Sequence, residues 1–371
     1  MTDPVDAALL PRWKAVEAAF GPLAMFDAHT HVGQNDPDGF HQTPEELLAA
    51  LEPLAARAAF FPMHEPSGYP PANDAVLAAA EESDGRLVPY CRVDPRADAV
   101  AEAERCLDAG ARGIKLHPRA EGFTLAEPAV PELVALAHER RMPVLIHAGR
   151  GIPALGEHSV QLARRYPDAR LILAHAAVSD LAWIWREMPS HPNLFIDTSW
   201  WNPGDMMALF TLVPSGQIVW ASDSPYGRPL SAAQQHLAFA IQARVGPEAL
   251  RGIAGATMER ILAGSELPPT ARPDGELETL SPHLERVVAH LVAAIGAAVS
   301  MGDRAELISL ARLACDVRDD PHAELFAEIL RMIDLAEALH AAEPPDTRFG
   351  PSVRALVAAM TLARTPAAPL P

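Results

Sequence analysis

The chain of 371 residues carries a net charge of −18, with 49% hydrophobic and 21% charged residues. That acidity argues against nucleic acid and anionic membranes as partners, because both require a basic face, and no apolar run approaches the ~18 residues of a spanning helix. Cys91, Cys106 and Cys315 stand far apart and make neither a metal knuckle nor a disulfide framework. Together with an N-terminus that lacks an export pattern, they predict a cytoplasmic chain.

From residue 24 onward, short apolar runs alternate with helical patterns. Strands are predicted at 24–28, 58–63, 87–93, 112–116, 143–146, 170–174, 193–197 and 217–221, a spacing that fits a strand, a crossover helix and two loops. Thr43-Pro44-Glu45-Glu46 predicts a capped helix start with proline in the first turn. Residues 97–109 and 130–141 place apolar side chains at three-four spacing. Eight such units predict an α/β fold, a parallel (β/α)8 TIM barrel. An open doubly wound sheet would carry a glycine-rich phosphate turn after its first strand; here that strand runs into Asp27-Ala28-His29-Thr30-His31.

Helices at 231–245 and 247–262 complete the outer ring, and 265–275 reads as a linker. Amphipathic stretches near 284–299, 305–317, 323–342 and 352–363 follow, with no strand signal. The expected organisation is therefore a barrel over 1–264 and an all-helical C-terminal domain over 276–371. The helical domain is net acidic, so its apolar stripes serve as a bundle core, a face docked on the barrel or a homodimer contact. The 36 prolines, about twice the usual frequency of about 5%, predict stiff loops.

Unusual polar residues then fall at strand ends. His29 and His31 follow the first strand, Lys115 and His117 end the fourth, His147 the fifth, His175 the sixth and Asp223 the eighth. Barrels of this type build their sites at these carboxyl ends. Residues two apart on a strand share a face, so His29 and His31 converge, and with His147 and Asp223 they make a mixed nitrogen and oxygen site suited to Zn2+ or another divalent metal. The histidines at 138, 191, 236, 283, 290, 322 and 340 lie on helices or connections and read as surface or packing residues. A metal at the predicted site would lower the pKa of its water to about 7. Asp223 then holds the metal and accepts a proton, and His175 orients the water or stabilises an oxyanion.

Lysine occurs only at positions 14 and 115, so the lysine in Gly113-Ile114-Lys115-Leu116-His117 stands out in a chain that otherwise writes its positive charge as arginine. Arg92, Lys115 and Arg150 on neighbouring strand ends predict a cationic wall for a substrate carboxylate; the alternative pairs Arg92 with a nearby acid. His64, Tyr69, His117, Arg119, Trp200 and Tyr226 complete the expected rim, and the 33–42 loop follows the His29/His31 pair directly.

The segments Phe26-Asp27-Ala28-His29-Thr30-His31, Gly113-Ile114-Lys115-Leu116-His117-Pro118, Pro143-Val144-Leu145-Ile146-His147, Ile172-Leu173-Ala174-His175 and Ala221-Ser222-Asp223-Ser224-Pro225-Tyr226 resemble the signatures of the amidohydrolase superfamily, in its amidohydrolase-related branch. The likeness spans about 24–262 and leaves out the helical domain. It implies metal ligands at His29, His31, His147 and Asp223, with His175 activating water. In binuclear relatives a carboxylated lysine, here matched by Lys115, bridges two metals, with His147 and His175 on the second. One ion with an unmodified Lys115 is the favoured expectation and two ions the alternative. The function expected is hydrolysis of an amide, ester or lactone by metal-activated water. The alternatives are nonoxidative decarboxylation of an aromatic or unsaturated acid, and a catalytically silent barrel used as a binding module.

Overall fold

The computed structural model describes residues 3–268, 270, 272–344 and 347–371. Its strands are β1 (Phe26–Val32), β2 (Arg57–Pro62), β3 (Leu87–Pro89), β4 (Cys91–Arg92), β5 (Ile114–Leu116), β6 (Pro143–Ile146), β7 (Arg170–Leu173), β8 (Leu194–Asp197) and β9 (Ile218–Val219). They pair in parallel and in chain order, β1 to β3 and β4 to β9. β3 and β4 are halves of one barrel strand, parted at Tyr90, whose ring covers Gly113 so closely that a Cβ there would lie 2.8 Å from it. Backbone bonds bridge the seam between β9 and β1: Ala28 N–H donates to the Trp220 carbonyl, Asp223 N–H to His29 and His31 N–H to Ser224. Eight strand positions thus give the expected (β/α)8 barrel.

One irregularity decides the chemistry. Inside the barrel, Phe26 and Ala28 of β1 meet Ala59, Phe61, Val88, Tyr90, Leu145, Ile172, Phe195 and Val219. A strict period of two would send residues 29 and 31 outward. The register between β1 and β2 instead shifts between Asp27 and Thr30, and this bulge moves the phase by one residue. His29 and His31 therefore face inward above Phe26 and Ala28. Sequence periodicity ended the first strand at residue 28; the structure corrects this, because polar side chains turned toward a barrel mouth do not interrupt backbone pairing.

The outer helices include Pro44–Leu51, Pro70–Glu82, Ala99–Asp108, Ala129–Glu139, Leu155–Arg165, Pro203–Leu212 and Pro229–Gln242. Many prolines that suggested stiff loops sit in helix first turns, where the missing N–H costs nothing. The stretch 247–262 divides into Pro247–Arg251, a π-helical turn at Gly252–Ala256 and Thr257–Leu262. Met258 and Ile261 of the last piece close the barrel floor. An N-terminal helix, Pro4–Phe20, has no clear periodic signal and contains Pro11; Asp3 caps it by accepting from the Val5 and Asp6 N–H groups.

The C-terminal helices are Pro282–Val299, Ala305–Ala314, Ala323–Ala342 and Pro351–Arg364. The last packs against Pro282–Val299 and Ala323–Ala342 and also against Pro229–Gln242 and Pro4–Phe20. Arg354 donates to Asp3, and Arg228, following the last barrel strand, donates to Asp6 at 2.7 Å. The apolar core runs without a break from barrel to helices. The 265–275 stretch is tied down in its described part: Arg170 donates to the Ser265 carbonyl, Ser215 to Asp274 and Thr270 to the Pro189 carbonyl. Among the described residues, no helix is long and apolar enough to cross a membrane.

Candidate metal centre

Inward-facing positions at the carboxyl ends of the strands gather His29, His31, Lys115, His147, Asp197 and Asp223. Three of them meet at their tips. His29 Nε2, His31 Nε2 and Asp223 Oδ1 form a triangle with 3.1 Å sides. The two imidazoles are buried, and the Asp223 side chain is 19% exposed toward solvent. Ligands about 2.0–2.1 Å from a tetrahedral zinc stand about 3.3 Å apart, so the triangle matches the spacing of a metal's ligand set.

The two imidazoles favour a cation as well. His29 Nδ1 donates to Asp197 Oδ2 at 2.8 Å, which leaves Nε2 with a bare lone pair aimed at His31 and Asp223. Burial, helped by Lys115 for His29 and by His29 for His31, holds both imidazoles well below their usual pKa, so they are neutral. Burial also pushes Asp223 well above the ordinary carboxylate range, against the pull of Lys115. The Nε2 atoms of two neutral imidazoles beside the Asp223 carboxyl make a donor set that a cation satisfies. The residues present therefore fit a divalent metal.

Asp197 was not singled out from the sequence, yet it organises the site. Its Oδ2 fixes the His29 tautomer, and its Oδ1 accepts from the His175 N–H (2.8 Å), the Ser199 N–H (2.9 Å) and the Ser199 hydroxyl (2.6 Å). The signal was an acid ending the apolar run Leu194-Phe195-Ile196, in phase with the inward Phe195. Asp27 lies fully buried below, accepting from the Ser222 and His29 N–H groups, and burial lifts its pKa to about 7.

His147, expected as a fourth ligand, stands apart from the triangle. His175 Nδ1 donates to the Ser199 carbonyl at 3.0 Å, so its Nε2 accepts from His147 Nδ1 at 2.9 Å. That leaves His147 Nε2 as a buried lone pair without a partner. Gly149 lies against it: a Cβ there would sit 2.6 Å from Nε2. His117 stacks on His147 with ring centres 3.9 Å apart, and its Nδ1 caps the Pro118–Glu121 turn by accepting the Ala120 N–H. His175, Ala176 and Ala177 all take left-handed backbone angles, as does Asp223. Such conformations cost on the order of 1–3 kcal/mol each and cluster where a site requires them.

Lys115 is buried, with Nζ 2.9 Å from His29 Nε2 and 4.7 Å from the centre of the Phe61 ring. Burial brings its pKa down to about 7, with Arg92 adding to the fall and Asp223 and Asp197 opposing it. The expected cationic wall is corrected at Arg92. Its Nη2 donates to Glu121 Oε1 at 2.6 Å and its Nη1 to the Pro62 carbonyl, and Tyr69 donates to the same Glu121 oxygen. A buried, neutralised guanidinium offers no free charge to substrate. Arg150 is exposed and lies over the Trp200 ring at 5.5 Å. Tyr226 is half-buried, sets its ring edge-on to His31 at 5.4 Å and donates to Asp36. A separate cavity of about 460 Å3 lies at the opposite end of the barrel, lined by Pro192, Pro214, Ile261 and Leu267 among others, far from these groups.

A parallel-stranded (β/α)8 barrel with two histidines of β1 and an aspartate beyond β9 at its mouth defines a class of metal-dependent enzymes. A family model described as amidohydrolase matches residues 26–263, and the chain belongs to that family. No curated protein matches the chain. Among solved structures, an uncharacterised TIM-barrel protein from Bordetella bronchiseptica is 17% identical with a TM-score of 0.52, covering 65% of this chain and 99% of its own. A 5-carboxyvanillate decarboxylase from Sphingomonas paucimobilis is 15% identical with a TM-score of 0.50, covering 65% and 99%. A protein from Agrobacterium tumefaciens is 16% identical with a TM-score of 0.51, covering 67% and 98%. These likenesses are of fold, and the family match ends at residue 263.

Proposed function

We propose that the chain is a metal-dependent hydrolase of an amide, ester or lactone. The observation that carries this reading is the triangle of donor atoms made by His29 Nε2, His31 Nε2 and Asp223 Oδ1. These three residues would hold the ion, zinc or another divalent metal, and His147, expected as a fourth ligand, keeps a buried Nε2 lone pair without a partner. A divalent ion held there would lower the pKa of a water toward about 7 and polarise a carbonyl. With the ion bound, the Asp223 carboxylate would take the water's proton and pass it to the leaving group. His175 acts as a positioning residue, because its bond from His147 Nδ1 fixes which nitrogen of His147 stays free. Lys115, with Nζ beside His29 Nε2, would hold a substrate oxygen. Arg150 and Tyr226 complete the rim.

The pairing of Arg92 with Glu121 removes one cation that a carboxylate-gripping site would need, which favours hydrolysis. The buried Lys115 amine is the observation that keeps decarboxylation as the second reading, since it gives an acid substrate one counter-charge. The metal-loaded chain should therefore be assayed against panels of lactones, esters and amides, and of aromatic and unsaturated acids with CO2 as the readout. Hydrolysis is expected, with Asp223→Asn lowering kcat at least about 10²-fold while circular dichroism stays unchanged. CO2 release without hydrolysis, or full activity in Asp223→Asn, would refute the scheme.

A further inference from the structure

The C-terminal region lies outside the family match, yet one side chain from the connection between helices Ala323–Ala342 and Pro351–Arg364 reaches the mouth of the barrel. Phe349 is a large apolar residue left 40% exposed, and its ring lies 6.1 Å from that of Phe40 in the 33–42 loop. Phe40 in turn lies 4.8 Å from Tyr226, and Tyr226 meets His31 edge-on. Four aromatic rings thus form a continuous column from the helical region to a member of the metal triangle.

Both ends of the column are anchored, while its middle is a loop. On the helical side, Arg348 donates to the Val299 carbonyl and lies over the Phe349 ring, and Ser352 is held by Glu343 at 2.6 and 2.7 Å. On the barrel side, Gly33 and Gln42 pair as the neck of the loop. The Gln42 amide donates to the His31 carbonyl and accepts from the Ser224 hydroxyl, both at 2.8 Å. The tip is organised by the Asp36 carboxylate, which accepts from the Asp38 N–H, the Phe40 N–H and the Tyr226 hydroxyl. Phe40 is therefore the point at which the helical region and the Asp36–Tyr226 contact act on the same loop.

We propose that Phe349 is a positioning residue for the candidate active site: it seats the 33–42 loop through Phe40, and so sets how substrate fits beside His31 and Tyr226. The kinetic part of the proposal rests on the hydrolase reading; the structural part does not. A pair of packed rings typically contributes enough to change a local opening equilibrium about fivefold.

The full-length chain and its Phe349→Ala, Phe349→Tyr, Phe40→Ala and Phe349→Ala/Phe40→Ala forms should be compared by hydrogen–deuterium exchange of residues 34–41. Phe349→Ala is expected to speed exchange there about fivefold, Phe349→Tyr to restore the natural rate, and the double variant to add little to Phe40→Ala alone. With a substrate identified by the hydrolysis panel, Phe349→Ala should raise KM about fivefold and leave kcat within twofold. Unchanged exchange at 34–41 in Phe349→Ala, a change confined to 347–364, or additive effects of the two substitutions would overturn the proposal. A chain inert toward every panel member, with the exchange pattern as expected, would count against the hydrolase reading and still support the seating of the loop.

Discussion

His29 illustrates how little of a site resides in one side chain. Its Nε2 is available to a cation because its Nδ1 proton is committed to Asp197, and Asp197 is itself fixed by the backbone of His175 and by Ser199. Second-layer carboxylates of this kind are worth 10- to 100-fold in metal affinity. Asp197→Asn should accordingly weaken zinc binding by roughly that factor in equilibrium dialysis; unchanged affinity would show that the bond to His29 is incidental. His236, read from the sequence as a surface or packing residue, is buried behind β8 between Thr198 Oγ1 and the Trp200 carbonyl, and burial holds its pKa down to about 4. Between pH 6.5 and 4 the unfolded chain takes up a proton that the folded chain refuses, so this contribution is whole above pH 6.5 and lost as pH falls toward 4. His236→Gln should shrink the loss of stability between pH 7 and pH 5 by on the order of 2 kcal/mol, read from urea midpoints at the two values. An equal loss in both proteins would contradict the assignment.

Elements with strong local signals match their sequence reading closely. Thr43 and Glu46 form the predicted capping box, each side chain accepting from the other's N–H at 3.2 and 2.9 Å, and the helix begins at Pro44 as expected. Thr43→Ala should cost about 1 kcal/mol, measured by chemical denaturation, with no change in metal binding. The predicted 323–342 helix is observed with the same limits. Strand boundaries were less legible. The Tyr90 ring at the break is seated on Gly113, the residue just before β5, and the bulge in β1 depends on pairing with β2. Neither leaves a mark in local periodicity. The bulge matters most, because without it the two β1 histidines would point away from Asp223.

At the scale of the whole molecule, the C-terminal helices share the barrel's core. Helix Pro351–Arg364 buries Leu356, Met360 and Leu362 and packs on Pro229–Gln242, one of the barrel's outer helices. Arg354 further ties it to the N-terminal helix through Asp3. A chain ending at residue 350 should therefore lose cooperative folding and aggregate, seen as a missing monomer peak in size-exclusion chromatography. A truncated monomer that melts like the full chain would show the barrel to be independent of that helix.

The order of eight strand and helix units, the helical character of the last hundred residues and the identity of His29, His31 and Asp223 as ligand candidates were all set by the sequence alone, because they rest on periodicity and on residue type at strand ends. Tertiary structure decided the rest. It turned the histidine pair inward through a bulge, recruited Asp197 from a strand some 168 residues away, neutralised Arg92 with Glu121, and brought Phe349 to the barrel mouth. Each of these depends on which distant groups share a low-dielectric space, and local sequence patterns carry no record of that.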